Sequence, residues 1–292
     1  MSSEASVQPR IVTKAPPWHG WVTADLFLLS TASGTFTMAA MVVLLRPWEM
    51  DALARAAFLI VFPLMLADLA CLILDLGDPA RFHHMLRTFK PSSPMSVGVW
   101  TISAFSFIAF LAFIAEILDW PQSAIRSIAA AGLVPALVAG AYKGVLFSAT
   151  AQPGWRRMRW LGGAFAVSSA SMGAGLMLAL AAGAGQPGAA RLFRFIVMWL
   201  LVLNALAVRR VMGSTATTGH LSDVGDRRAA LRVSLCYTGF IVAGLGVPIV
   251  LCAIGGGNST IDGLTAAIVL GGGLASRQFL VALPHRSAPN RT

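Results

Sequence analysis

The sequence predicts an all-α integral membrane protein with eight transmembrane helices, the first four forming a four-helix bundle and the others packed beside it. Two observations predict it. In 292 residues, 57% are hydrophobic and only 12% charged, with a mean hydropathy of +0.73, against roughly 25% charge in soluble domains. Eight apolar stretches also approach the length of about 20 residues that spans a bilayer core, at 22–45, 56–76, 97–118, 126–148, 161–182, 192–208, 233–254 and 263–283.

The tryptophans mark the same boundaries, because indole rings favour the membrane interface. Trp18, Trp21, Trp48, Trp100, Trp120, Trp155 and Trp160 fall at or near segment ends, and Trp199 alone lies inside one. The chain therefore divides into an N-terminal surface segment (1–21), the transmembrane domain (22–283) and a C-terminal tail (284–292). The first twenty residues carry Pro9, Pro16 and Pro17 and lack a cleavable signal pattern, so the first helix is expected to act as the insertion signal.

Composition also sets expectations for cofactors. Cys71, Cys236 and Cys252 lie inside predicted helices with no CxxC pair, so no iron–sulfur cluster or zinc site is expected in this chain. A membrane-embedded haem needs axial ligands facing one another within a bundle. His19, His83, His84, His220 and His285 sit in predicted loops or at helix ends, and no haem is expected.

Helices that alternate in direction assign each connection to one of two faces. Side A, which holds the N-terminus, collects Arg10, Lys14, Arg81, Arg87, Lys90, Arg156, Arg157, Arg159, Arg209, Arg210, Arg227, Arg228, Arg232, Arg286 and Arg291. Side B has Arg46, Arg55, Arg126, Arg191 and Arg194. The positive-inside rule makes side A cytoplasmic. A basic face can equally dock an acidic partner. The net charge of +10 thus belongs mostly to one face, and nucleic acid is not an expected partner.

Taken in order, helix one carries Asp25 about one turn inside side A, followed by Ser30, Ser33 and Gly34, small residues that let helices approach closely. An intramembrane carboxylate is a functional candidate, the plain alternative being a snorkelling or capping residue. Helix two holds Asp68 near mid-depth and Asp75 seven residues later. Two turns place both on one face about 10 Å apart, a spacing that suits proton movement toward side A. The alternative is that Asp68 bonds a neighbouring helix.

Helix three ends in Glu116 and Asp119 on side B, read as solvated acids or the mouth of a proton path. Helix four contains Pro135 and sets Tyr142 and Lys143 one to two turns inside side A. Snorkelling of Lys143 with Tyr142 in the aromatic belt is the competing reading. Helix five is rich in Gly, Ala and Ser, as for a helix inside a bundle. Asn204 in helix six, Tyr237 near the start of helix seven, and Gly271–Gly273, Arg277 and Gln278 in helix eight read as packing and snorkelling.

Leu74 to Trp100, LDLGDPARFHHMLRTFKPSSPMSVGVW, concentrates the chemistry, with Asp75, Asp78, Arg81, His83, His84, Arg87 and Lys90. Such groups need a surface or a cavity, since the bilayer core leaves them unsatisfied. The helix directions bring Asp25, Asp75, Tyr142 and Lys143 to similar depth on side A, beside Asp78 and Arg81 and within reach of His19. Hydroxyl, carboxylate and imidazole groups in an apolar cavity match a quinone headgroup, whose two carbonyls accept hydrogen bonds and take up two protons on reduction.

The LDLGDPARF segment, FKPSSPMSVGVW, AYKGVLFSATAQPGW and the eight-helix plan resemble the membrane subunit of polysulfide reductase-type complexes, the NrfD/PsrC family. The resemblance is strongest over helices one to five. It implies a haem-free subunit of a bacterial or archaeal cytoplasmic membrane that binds menaquinone or ubiquinone. Its implied partners are an iron–sulfur subunit with [4Fe-4S] clusters and a molybdopterin catalytic subunit, docked on the basic side. The family's quinone contacts, at the start of helix one and at the tyrosine of a Y-x-G motif, match Asp25 and Tyr142, with His19 and Lys143 adjacent. Many relatives carry Arg at Asp78, a hydroxyl residue at Lys143 and another polar residue at Asp25. Lys143 could therefore replace a lost positive charge by pairing with Asp25 or Asp78. In respiratory relatives the site faces the periplasm, opposite to the positive-inside expectation.

The implied site comprises Asp25, Tyr142 and His19 at the quinone, Asp75 and Arg81 shaping the pocket, Lys143 beside it and Asp68 relaying protons. The rival reading from another class is a secondary transporter of a small anion. Transporters commonly show inverted repeats and midplane polar sites. Neither is visible here.

Overall fold

The computed structural model describes residues 20–45, 50–76, 87, 89–150, 155, 158, 160–212, 240–255 and 257–287. The elements are α1 (Gly20–Leu45), α2 (Asp51–Leu74), α3 (Pro94–Ile117), α4 (Gln122–Ser148), α5 (Leu161–Gly183), α6 (Pro187–Met212), a π-helical stretch (Phe240–Gly246) running into α7 (Val247–Ile254), and α8 (Ser259–Ser287). Among the described residues, seven helices are long and apolar enough to cross a membrane, and Ala243–Ile254 is a shorter apolar helix. It corresponds to the end of the predicted seventh segment, whose first residues, 233–239, lie outside the described residues.

The element ends follow local chemistry. Ser93 caps α3, its Oγ accepting from the Ser96 N–H at 3.5 Å, with Pro94 in the first turn where no N–H is needed. Ser96 Oγ accepts in turn from the Lys90 N–H at 2.9 Å, folding the KPSSPMS stretch onto the helix start. Asn258 Oδ1 accepts from the Thr260 N–H at 2.9 Å ahead of α8. Pro63 and Pro135 sit inside α2 and α4.

Helices α1 and α5 form the centre. α1 packs on α2, α4, α5 and α8, and α5 packs on α1, α4, α6 and α8. Gly34 and Gly173 permit the α1–α5 crossing: a Cβ on Gly34 would lie 1.8 Å from the Ser169 carbonyl oxygen, and one on Gly173 would lie 2.0 Å from the Gly34 carbonyl carbon. Close backbone approach through small residues is how membrane helices associate, since lipid offers no hydrophobic drive between them. The outer helices turn Leu66, Phe107, Val134 and Trp199 outward, as a lipid-facing surface requires.

Trp155 is not a lipid-facing belt residue. It is fully buried, stacked on Phe147 at 4.6 Å, and its Nε1–H donates to the Leu280 carbonyl at 2.9 Å. It ties the side A ends of α4, α5 and α8 together with Val22, Leu161 and Phe165.

Candidate functional site

Three charged groups from three helices meet in the side A half of the first bundle. Asp25 lies five residues into α1, Lys143 five residues before the end of α4, and Asp68 six residues before the end of α2. At 1.5 Å per residue these positions are within about 2 Å of the same depth. Lys143 Nζ is 2.5 Å from Asp25 Oδ1, 3.4 Å from the Asp25 carbonyl oxygen and 3.5 Å from Asp68 Oδ1. All three side chains are buried. The three donors of the ammonium are thereby used. Among the described residues, Asp68 Oδ2 has no hydrogen-bond partner.

Glycines set the lysine and its neighbour in place. A Cβ at Gly98 would fall 1.9 Å from Tyr142 Cε2, so the absent side chain lets the tyrosine ring come up against α3. At Gly144 a Cβ would lie 2.5 Å from the Leu161 carbonyl oxygen, so this glycine lets α4 and α5 touch at the depth of Lys143. The glycines of the MSVGVW and AYKG motifs thus position the polar residues beside them.

The cluster forms one wall of a cavity of about 510 Å³ among α1 to α4. Asp25, Asp75, Tyr142, Lys143, Ser103 and Ser106 supply its polar lining. Leu69, Leu72 and Ile73 of α2, with Leu76 just after its end, and Met95, Val99 and Ile102 of α3 also line it. It is thus a mainly apolar slot between two helices with a charged inner end, the composition typical of a small-molecule site.

The structure brings Asp25, Asp75, Tyr142 and Lys143 around this one space. Asp68 stands behind Lys143 and does not line it. Asp68 and Asp75 differ in surroundings, the first buried and the second exposed. His19, Asp78, Arg81, His83 and His84 lie outside the described residues. The pairing of Lys143 with Asp25 is present, and Asp68 is its second carboxylate.

Two sequence readings are corrected. Glu116 is buried rather than solvated, while Asp119 is exposed and pairs with Arg55 at 2.5 Å. Arg277 does not snorkel: it is buried, its Nη2 donates to Ser30 Oγ at 3.0 Å, and its guanidinium lies 3.9 Å above the Phe165 ring. A further ion pair joins α6 to α8, where Arg194 clamps Asp262 with two bonds of 2.8 Å. No spacing signal in the sequence links these two residues.

A multi-pass helical membrane protein with a charged, apolar-walled cavity in its first four helices is the class that fold and site define. The chain belongs to the polysulfide reductase family of NrfD type, whose family model matches residues 11–288. It is also similar to a selenate reductase subunit of Mesobacillus selenatarsenatis, 28% identical over 106 residues. That match spans 36% of this chain and 24% of the relative, so the chain covers about a quarter of that protein's length.

Proposed function

We propose that this chain is the quinone-binding membrane subunit of a multi-subunit reductase, passing electrons between a partner's iron–sulfur cluster and the membrane quinone pool. The cavity among α1 to α4 carries this reading. Its apolar walls on α2 and α3 suit a hydrophobic ring and tail, and its inner end offers the Tyr142 hydroxyl and the Asp25–Lys143 pair to a carbonyl. A bound quinone supplies the two-electron, two-proton redox couple.

The residues of this chain would orient the headgroup and hold protons. Tyr142 is a neutral donor at the cavity wall, fixed by its contact with Gly98. Lys143 balances only one of the two carboxylates it touches, so the cluster carries one more carboxylate than cation. Asp68, behind Lys143, would pass a proton through Lys143 and Asp25 to the cavity. Asp75 and Arg81 would shape the mouth, and His19 would stand beside Asp25. The same charge count disfavours a small anion in this cavity, because Lys143 is already matched.

On this reading the partners are an iron–sulfur subunit and a molybdopterin subunit, docking on the basic side A where Arg87, Lys90, Arg209 and Arg210 lie exposed, in a bacterial or archaeal cytoplasmic membrane. Purification of the tagged chain in mild detergent, with mass spectrometry of co-purifying proteins and of the organic extract, tests it. An iron–sulfur protein with stoichiometric menaquinone or ubiquinone is the expected result. A lone polypeptide without quinone would reject it.

A further inference from the structure

The first bundle is polar at both ends and closed in between. On side A stand Asp25, Lys143 and Asp68, and on side B stand Arg55 with Asp119 and the buried Glu116. Arg55 and Asp68 are thirteen positions apart on α2, about 20 Å along the helix. Over that length the described buried side chains of α2, α3 and α4 are apolar, and α1 adds Ser30, Thr31, Ser33, Thr35 and Thr37.

Phe36 of α1 is the centre of the seal. Its ring meets Phe58 of α2 at 5.2 Å and Phe105 of α3 at 5.4 Å, both edge to face, and all three rings are fully buried. On the fourth side it rests on α4, where a Cβ at Gly132 would fall 2.3 Å from Phe36 Cζ. Val61 and Met65 continue the packing from Phe58 to Asp68 with at most 1% exposure. The described cavity reaches Ser106 on α3, the residue after Phe105, and none of the three rings is part of its lining.

Proton transfer needs donors and acceptors within about 3 Å or one bridging water, and water is held only where several polar groups converge. The aromatic layer offers neither. The hydroxyls of α1 do not bypass it. Thr31, Thr35 and Thr37 each donate to a carbonyl of their own helix, and beyond Thr37 the chain toward side B is Met38 to Leu45 without a polar side chain.

We infer that proton exchange at the α1–α4 site is confined to side A, the Phe36–Phe58–Phe105 layer sealing the bundle toward side B. This rests on the quinone reading above. Oxidation of one quinol at the site then delivers two electrons to the partner's one-electron centre and releases two protons to side A. Reduction draws two protons from the same side. Turnover through this bundle is therefore not itself a transmembrane proton pump.

The complex isolated through this chain, reconstituted in liposomes with a quinol, tests the inference. Ferricyanide outside accepts one electron per ion without binding protons and does not cross the bilayer. The orientation of side A is fixed independently by the accessibility of an epitope tag on the N-terminus. Impermeant pH dyes read both compartments. Two protons per quinol appearing on the tagged side, with the other compartment unchanged, is the expected result. Protons arriving on the side opposite the tag would overturn the sidedness while leaving the quinone reading intact. Absence of any quinol-dependent ferricyanide reduction would overturn the quinone reading, and this inference with it.

Discussion

Lys143 on α4 reaches across the first bundle to Asp25 on α1, Nζ to Oδ1 at 2.5 Å, 118 positions apart in the chain. Both groups are buried, and Lys143 also meets Asp68, so removing the lysine leaves two carboxylates without a cation in a low-dielectric setting. Breaking a buried pair in this way costs about 3–5 kcal/mol. Lys143→Met should therefore lower the thermal stability of the detergent-solubilised chain and abolish quinone turnover. Lys143→Met with Asp25→Asn and Asp68→Asn should recover most of the stability without the turnover. Thermal unfolding and quinol oxidation, measured on both variants, separate the two roles.

Tyr142→Phe removes one hydroxyl and keeps the ring that packs on Gly98. Loss of one neutral hydrogen bond is worth about 0.5–1.5 kcal/mol, so quinone KM should rise several-fold with assembly unchanged. Steady-state kinetics over a range of quinone concentrations gives the answer. A KM equal to that of the parent protein would remove Tyr142 from the site.

Gly98→Ala tests the positioning itself. The new Cβ would overlap the Tyr142 ring, at 1.9 Å from Cε2, and the tyrosine must leave its place. The variant should match or exceed the KM defect of Tyr142→Phe. Gly163→Ala, on α5 where nothing lies within 4 Å of the added carbon, should leave turnover unchanged and stabilise the helix by up to about 1 kcal/mol.

Depth along the membrane was legible in the sequence for Asp25, Tyr142 and Lys143 but not for Asp68, read at mid-depth and found level with Asp25, and facing was not legible. Apolar length and alternating direction put Asp25, Tyr142 and Lys143 at one level, which is where the structure has them around the cavity. The rotation of each helix about its own axis depends on which neighbours it packs against. That left open whether Lys143 would meet Asp78 or another acid, and the carboxylate it bridges to besides Asp25 is Asp68. The same ambiguity hid Arg277 and Glu116, since a long side chain near a helix end can snorkel or turn inward with equal reach. Arg194 entered the sequence reading only as a charge on side B, and Asp262 did not enter it. Their pairing depends on the α6–α8 arrangement, and no local pattern encodes it.

That pair gives the last prediction. Asp262 is buried, and both of its carboxylate oxygens accept from Arg194 at 2.8 Å. Arg194→Met leaves the carboxylate unpaired and should cost about 3–5 kcal/mol, whereas Arg194→Met with Asp262→Leu replaces the pair by apolar contacts and should be nearly neutral or stabilising. Neither residue borders the α1–α4 cavity, so quinone KM should be unchanged in any variant that folds. A thermal-shift series over the two single variants and the double variant measures the coupling directly. Additive effects would mean that the two helices are held by their apolar contacts alone. A strong positive coupling would make this bidentate bridge the fastening between the outer helices of the second half.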